Sequence, residues 1–115
     1  MLIMINSYQF GKVIIDHKEY YSDIIIYKDK VNDNWWRKEG HNLCIEDIRE
    51  ILNKKPEILI IGTGAYGLMK VSLELMKHLE KINIKVIEKK TIEACEEYNR
   101  LYLDKNVVAA LHLTC

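Results

Sequence analysis

Three glycines in Ile58-Leu59-Ile60-Ile61-Gly62-Thr63-Gly64-Ala65-Tyr66-Gly67-Leu68 stand at the spacing G-x-G-x-x-G. Lacking a Cβ, they let backbone N–H groups approach an anion, and a helix starting there adds the positive end of its dipole. An apolar run before them and a helical stripe after them give the setting of a dinucleotide fingerprint. Glu88, 21 residues after Gly67, stands near where a ribose-binding acid belongs. A full dinucleotide domain needs two βαβαβ halves, and 115 residues leave room for barely one. A small-anion site over Gly62, Thr63, Gly64 and Gly67 remains, beside the plainer alternative of a tight strand-to-helix turn.

A second group is Asn34-Trp35-Trp36-Arg37-Lys38-Glu39-Gly40-His41. Both tryptophans of the chain adjoin two cations, an acid and a histidine there. An indole beside Arg37 can wall a planar or anionic ligand, or pack under the guanidinium itself. Strand alternation sends Trp35 and Trp36 to opposite faces, so if one enters the core the other needs a second place to bury. That favours a groove or a partner contact at this segment. The pairs His41-x-x-Cys44 and His112-x-x-Cys115 contain four zinc-type ligands, but Cys44 is expected at a helix start with its thiol inward. A cysteine–histidine nucleophile lacks a third residue to orient the base. Thr91 followed by Glu93, Glu96 and Glu97 makes good helix-start electrostatics, and Tyr98 and Asn99 have side chains able to bond a neighbouring loop.

The elements that must position these groups change character along the chain. Tyr8–Phe10, Val13–Ile15, Tyr20–Tyr21 and Ile24–Tyr27 are short β-branched and aromatic runs separated by turn residues, an antiparallel meander. Ile45, Ile48, Ile51 and Leu52 then follow helical spacing over 45–53, before Pro56. Ile58–Ile61 is a four-residue apolar run, the mark of a strand buried on both faces. Leu68, Val71, Leu75, Leu79 and Ile82 predict a second helix over 66–81 and Ile84–Ile87 a strand. Thr91 is the expected cap of a third helix through Tyr102. Val107–Leu111 is the last strand, with small Ala109 and Ala110 where helices approach closely.

Composition restricts function by exclusion. The chain is 49% hydrophobic and carries 17 basic against 17 acidic residues, so disorder is excluded and no excess charge drives nucleic-acid or anionic-membrane binding. Three cysteines without C-x-x-C make no disulfide framework and suggest a reducing compartment. The opening Met1-Leu2-Ile3-Met4-Ile5 is too short for a signal h-region, and no apolar run nears the roughly 20 residues that span a bilayer.

Taken in order, Tyr8-x-Phe10-Gly11, Tyr21-x-Asp23-Ile24, Trp36-Arg37-x-x-Gly40-His41, Ile61-Gly62-Thr63-Gly64, Thr91-x-x-Ala94 with Tyr98-Asn99, and Ala110-Leu111-His112-Leu113-Thr114-Cys115 carry a resemblance. The chain resembles the MTH nine-three-eight-like family, a domain of unknown function (four-nine-eight), over essentially its whole length. Animal members include an adipogenesis-associated protein and a mitochondrial assembly factor of respiratory complex I. The resemblance implies a three-layer domain with a central mixed sheet and no established reaction. No mitochondrial presequence is read here, and Cys44 belongs to none of the matching motifs.

The expectation is therefore an α/β fold, one three-layer domain over residues 1–115 with a central mixed β-sheet, flanking helices and an N-terminal antiparallel meander. Its function is expected to be non-enzymatic and assembly-factor-like: binding of a protein partner or a small anion through Trp36, Arg37, His41, Gly62, Thr63, Gly64 and Gly67. Neither cofactor nor metal, nucleic acid nor membrane is expected, and the chain is read as cytoplasmic and a monomer or small homo-oligomer. The alternative class is a small enzyme using His41 or His112 as an acid–base group beside the glycine loop.

Overall fold

In the computed structural model, residues 3–115 are described; Met1 and Leu2, part of the opening apolar run, lie outside them. Strands β1 (Ile5–Gln9), β2 (Lys12–Ile15) and β3 (Lys18–Tyr20) form a small antiparallel sheet in the order β1-β2-β3. The chain then enters the main sheet with β4 (Ile24–Ile26) and β5 (Val31–Asn32). After β6 (Asn42–Leu43) a 3₁₀ turn (Ile45–Ile48) leads into α1 (Arg49–Lys54). There follow β7 (Ile58–Thr63), β8 (Lys70–Val71), α2 (Leu73–Lys81), β9 (Lys85–Lys89), α3 (Thr91–Leu101) and β10 (Val107–His112).

The main sheet has the order β5-β4-β10-β7-β9. β10 runs parallel to β7 and antiparallel to β4, and β7 runs parallel to β9. Every residue of β7 and β10 is buried, which fits their continuous apolar runs between two covered faces. Alternation divides the core in two. Ile24, Ile26, Ile58, Ile60, Val107, Ala109 and Leu111 pack toward α3 and the small sheet. Ile25, Leu59, Ile61, Val108 and Ala110 pack toward α1, α2 and Trp35. The result is the expected three-layer arrangement with a mixed central sheet.

Three expectations change. The fourth run of the meander, β4, leaves the small sheet and pairs with β10, because Ile24–Ile26 are buried throughout and need cover on both faces. The second helix begins at Leu73, not at 66. Ser72 caps it by accepting from the Leu75 N–H at 3.1 Å, while Gly67 adopts a positive φ and Lys70–Val71 pair with β6. Leu68, read as part of the apolar stripe, is exposed, and its neighbour Met69 is buried instead. Thr91 is not the cap of α3: its N-cap is Lys90, and the Thr91 hydroxyl is turned inward.

Candidate functional site

The C-terminal ends of β7 and β10 collect both groups singled out from the sequence. Asp47 holds the Trp36–His41 loop in place. Its carboxylate accepts the Lys38 N–H and the Cys44 N–H, each at 2.9 Å, and its carbonyl accepts the indole Nε1–H of buried Trp35 at 2.9 Å. The β6–β8 pairing adds a bond from the Lys70 N–H to the His41 carbonyl, which ties that loop to the glycine segment. His41 itself lies edge-on to His112, with ring centroids 5.6 Å apart.

At the centre is Asp23, which leads into β4. Its Oδ2 accepts from Arg37 Nη1 at 2.7 Å and faces His112 Nδ1 at 2.8 Å, and its Oδ1 accepts the Leu113 N–H at 2.8 Å. Arg37 Nη2 donates to the Gly40 carbonyl at 3.1 Å, and the guanidinium lies 4.7 Å from the Trp35 ring centroid. The side chains of Arg37 and His112 are only 6% and 7% exposed. Burial alone pushes the Asp23 carboxyl up. The bonds from His112, Leu113 and Arg37, with the Arg37 charge, outweigh that and hold it below the ordinary aspartate range. Arg37 Nη2, which donates to the Gly40 carbonyl, also lies 3.2 Å from His112 Nδ1. A proton on Nδ1 satisfies Asp23, and Nε2 is then enclosed without a partner among the described residues.

The glycine loop is a packing device around the same node. A Cβ at Gly64 would collide with the Cys115 carbonyl and the His112 ring, and its φ of 105° belongs to glycine. Its N–H donates to Thr91 Oγ1 at 2.9 Å, and that hydroxyl donates to the His112 carbonyl at 2.6 Å. The N–H groups of Ala65, Gly67 and Leu68 donate to the carbonyls of Thr114, Gly64 and Cys115. Thr63 Oγ1 donates to the Lys89 carbonyl. These donors are already taken and no helix starts at Gly67, so neither the dipole nor a set of free amides serves an anion here. The fingerprint spacing is present without the strand–turn–helix context that gives it meaning.

Around this polar node the surface is aromatic. Trp36 is 75% and Tyr66 66% exposed, with Phe10, Tyr21 and Leu68 also outward. Phe10 and Tyr66 pair at 6.0 Å between centroids. Gly11, beside Phe10, donates its N–H to the Leu113 carbonyl, and Trp35, beside Trp36, donates its own to the Asp23 carbonyl. All these side chains therefore ring one end of the sheet.

The sequence candidates thus meet in space; Arg37 is held by Asp23, the Gly40 carbonyl and the Trp35 ring, while its Nε is buried without a partner among the described residues. Asp23 is the residue that motif reasoning left without a role. Its signal was its place in Tyr21-x-Asp23-Ile24, at the mouth of a buried strand. Cys44 Sγ donates to Asp47 Oδ2 at 3.3 Å, and its thiol is pushed up to about 11 by burial and by Glu46 and Asp47. Burial pushes Cys95 up to about 12. All three cysteines are free, and no group of three His, Cys, Asp or Glu among the described residues is arranged to hold a metal.

A three-layer mixed α/β domain with a buried Asp–Arg–His node under an aromatic end is thereby defined. The chain belongs to the family described as a protein of unknown function (DUF498/DUF598), matched over residues 5–112. It is similar to a conserved hypothetical protein of Pyrococcus horikoshii, with 32% identity over 96% of this chain and 98% of that one, at a TM-score of 0.83. An outer membrane protein from Bartonella henselae shares 25% identity over 99% and 97% of the two chains, at a TM-score of 0.84. The 13 kDa major membrane protein of Francisella tularensis subsp. holarctica (strain LVS) is 28% identical over 116 residues, 95% of this chain and 89% of that protein. In the chain itself, no described helix is long and apolar enough to cross a membrane.

Proposed function

We propose that this chain is a non-catalytic docking domain whose aromatic end binds a protein partner, as an assembly factor does. The observation that carries this reading is the contrast at that end. Asp23, Arg37 and His112 are turned on one another, with only Arg37 Nε and His112 Nε2 enclosed without a partner among the described residues, whereas Trp36, Tyr66, Phe10 and Leu68 are left outward. Aromatic side chains unpaired with the protein's own core are the usual anchors of an interface. A small anion is less well supported, since the two terminal nitrogens of Arg37 are bonded to Asp23 and Gly40 and the amides of Gly64, Ala65, Gly67 and Leu68 are engaged. Acid–base catalysis by His112 is less well supported because its Nδ1 is engaged and its Nε2 is enclosed; His41 stays at the rim. Three free thiols fit a reducing, cytoplasmic setting and a domain that works as a monomer or small homo-oligomer.

The test is capture from extract of the native cells by the immobilised chain. A Trp36→Ser/Tyr66→Ser double variant with unchanged urea midpoint is expected to lose the captured protein; equal capture by both chains would refute the reading. The names of the Francisella and Bartonella relatives favour a second reading, in which the same end rests on a membrane surface. Membrane fractions that retain the natural chain but release the double variant, without any protein partner, would establish it.

A further inference from the structure

Gly67 turns its loop with a φ of 70° and has two lysines against it. Lys70, which opens β8, donates from Nζ to the Gly67 carbonyl at 3.4 Å. Lys90, the N-cap of α3, lays its stem along the same residue, with Cγ and Cε 3.5 and 3.8 Å from where a Gly67 Cβ would stand. Lys12, Lys30, Arg37 and Arg100 each have a carboxylate within 4 Å, but among the described residues Lys70 and Lys90 have none. Glu74, Glu88 and Glu93, the acids closest to them along the chain, thus pair with neither. The neighbouring cation Lys89 lies instead in the α3 groove with Glu93, Glu96 and Glu97. Tyr66 and Leu68, before and after Gly67 in the chain, are exposed, and Phe10 packs on Tyr66. Two uncompensated ammonium groups and an apolar cluster therefore share one patch of a chain whose net charge is zero.

We propose that the partner of the aromatic end presents an acidic segment, whose carboxylates meet Lys70 and Lys90 while an apolar side chain between them lies on Tyr66 and Leu68. This inference rests on the docking reading above and specifies its partner by charge. An ammonium carries three donors and no acceptor, and the one bond of Lys70 to Gly67 leaves two of them to a ligand. The two kinds of contact divide the work. Complementary charge steers the encounter and rejects basic partners, whereas the buried aromatic contact supplies affinity.

A second copy of this chain is a poor occupant. A two-fold contact centred on Gly67 sets the patch against itself, so Lys70 and Lys90 face like charges with no carboxylate to offset them. An anionic bilayer is also a weaker match. Clusters of about four to eight basic residues hold a chain to such a surface, and here two are left uncompensated around the apolar cluster. A polypeptide with two or three acids spaced about one apolar residue fits both the number and the closeness of the lysines.

Selection of random twelve-residue peptides on phage against the full chain tests the charge directly. Peptides that bind the aromatic end are expected to be rich in Asp and Glu around an aromatic or leucine residue. A synthetic representative should shift the amide signals of 64–70 and of Lys90, and lose about tenfold in affinity between roughly 50 and 300 mM salt. Lys70→Glu/Lys90→Glu should weaken it by about tenfold or more, and Lys70→Arg/Lys90→Arg, which keeps the charge, should retain it. Both lysines are exposed, so unchanged urea midpoints are expected and verify that each variant is folded. Neutral or basic peptides that shift Trp36 and Tyr66, or equal binding by the glutamate variant, would overturn this inference and leave the docking reading standing. The absence of any peptide at the aromatic end would overturn both. Retention of the chain on phosphatidylserine vesicles, lost in the glutamate variant and without any acidic peptide selected, would assign the lysines to a membrane and overturn the acidic segment.

Discussion

Asp23 is one carboxylate serving three donors, and its removal leaves each of them inside the protein. Asp23→Asn keeps the shape but leaves Arg37 charged, nearly enclosed and without its counter-ion. A loss of about 2–4 kcal/mol in urea unfolding is expected, toward the lower side of what an ion pair broken in the interior costs, because Asp23 is partly solvated. The pH dependence has a definite sign. The folded carboxyl titrates below its unfolded value of about 3.9, so the unfolded chain binds the proton first as pH falls. The stabilisation is therefore complete above about pH 5 and fades as pH drops through the folded value. Urea midpoints of the natural chain should fall over that acid range more steeply than those of Asp23→Asn, whose residue 23 does not titrate. A second residue-level expectation concerns Cys44, whose thiol is pushed up to about 11. Its alkylation by iodoacetamide should rise about tenfold for each pH unit between roughly 7 and 10, since only the thiolate reacts. A flat rate over that range would contradict the bond to Asp47.

Between elements, the small sheet is tied to α3 by side chains acting as backbone. Asn99 accepts the Ile5 N–H at 3.0 Å and donates to the Ile5 carbonyl at 2.7 Å, and Tyr98 Oη donates to the Ile3 carbonyl at 2.6 Å. Asn99→Ala should remove both bonds to β1 and cost about 2 kcal/mol, with faster hydrogen exchange at Ile5 than at the amides of β10. Equal protection of Ile5 in both proteins would show that β1 is held by packing alone. The sequence reading anticipated a bond from this pair to a neighbouring segment, but not its target. The partner residue lies 94 positions away, and nothing local marks it. The start of α2 was misplaced for a local reason. Leu68 and Val71 continue a 3.6-residue stripe on paper, yet Gly67 in the left-handed region and the Ser72 cap set the boundary at Leu73.

For the whole molecule, the two adjacent tryptophans separate stability from recognition. Trp35 is buried in the α1–α2 layer and bonded to Asp47; Trp36 stands in solvent. Trp35→Ala should cost about 3–5 kcal/mol, and Trp36→Ala should stay within about 0.5 kcal/mol of the natural chain. Thermal and urea unfolding of the two variants measure this difference. Comparable losses would mean that Trp36 packs against the protein after all, and the aromatic end would lose its main anchor.

What the sequence determined by itself is what short-range chemistry encodes. Apolar runs without alternation identified Ile58–Ile61 and Val107–Leu111 as interior strands, since only a strand covered on both faces buries every side chain. Alternation sent the two tryptophans to opposite sides and asked for cover on both, but only Trp35 is buried and Trp36 is left in solvent. An ordered set of weak motifs spread over the whole chain indicated the family, because their order is retained even where each alone is common. The tertiary structure alone decided what Arg37, His112 and Gly64 do. Arg37 and His112 are 75 residues apart in the chain and meet only because β10 lies between β4 and β7. Once they meet at Asp23, charges that looked available for a ligand neutralise one another. Gly64 gives its amide to Thr91 and Gly67 to the Gly64 carbonyl, while Ala65 and Leu68 donate to the last residues, so Gly64 serves close approach of backbone to backbone. Spacing along a chain specifies which groups are present, but whether a donor or a charge is free depends on neighbours that only folding brings together.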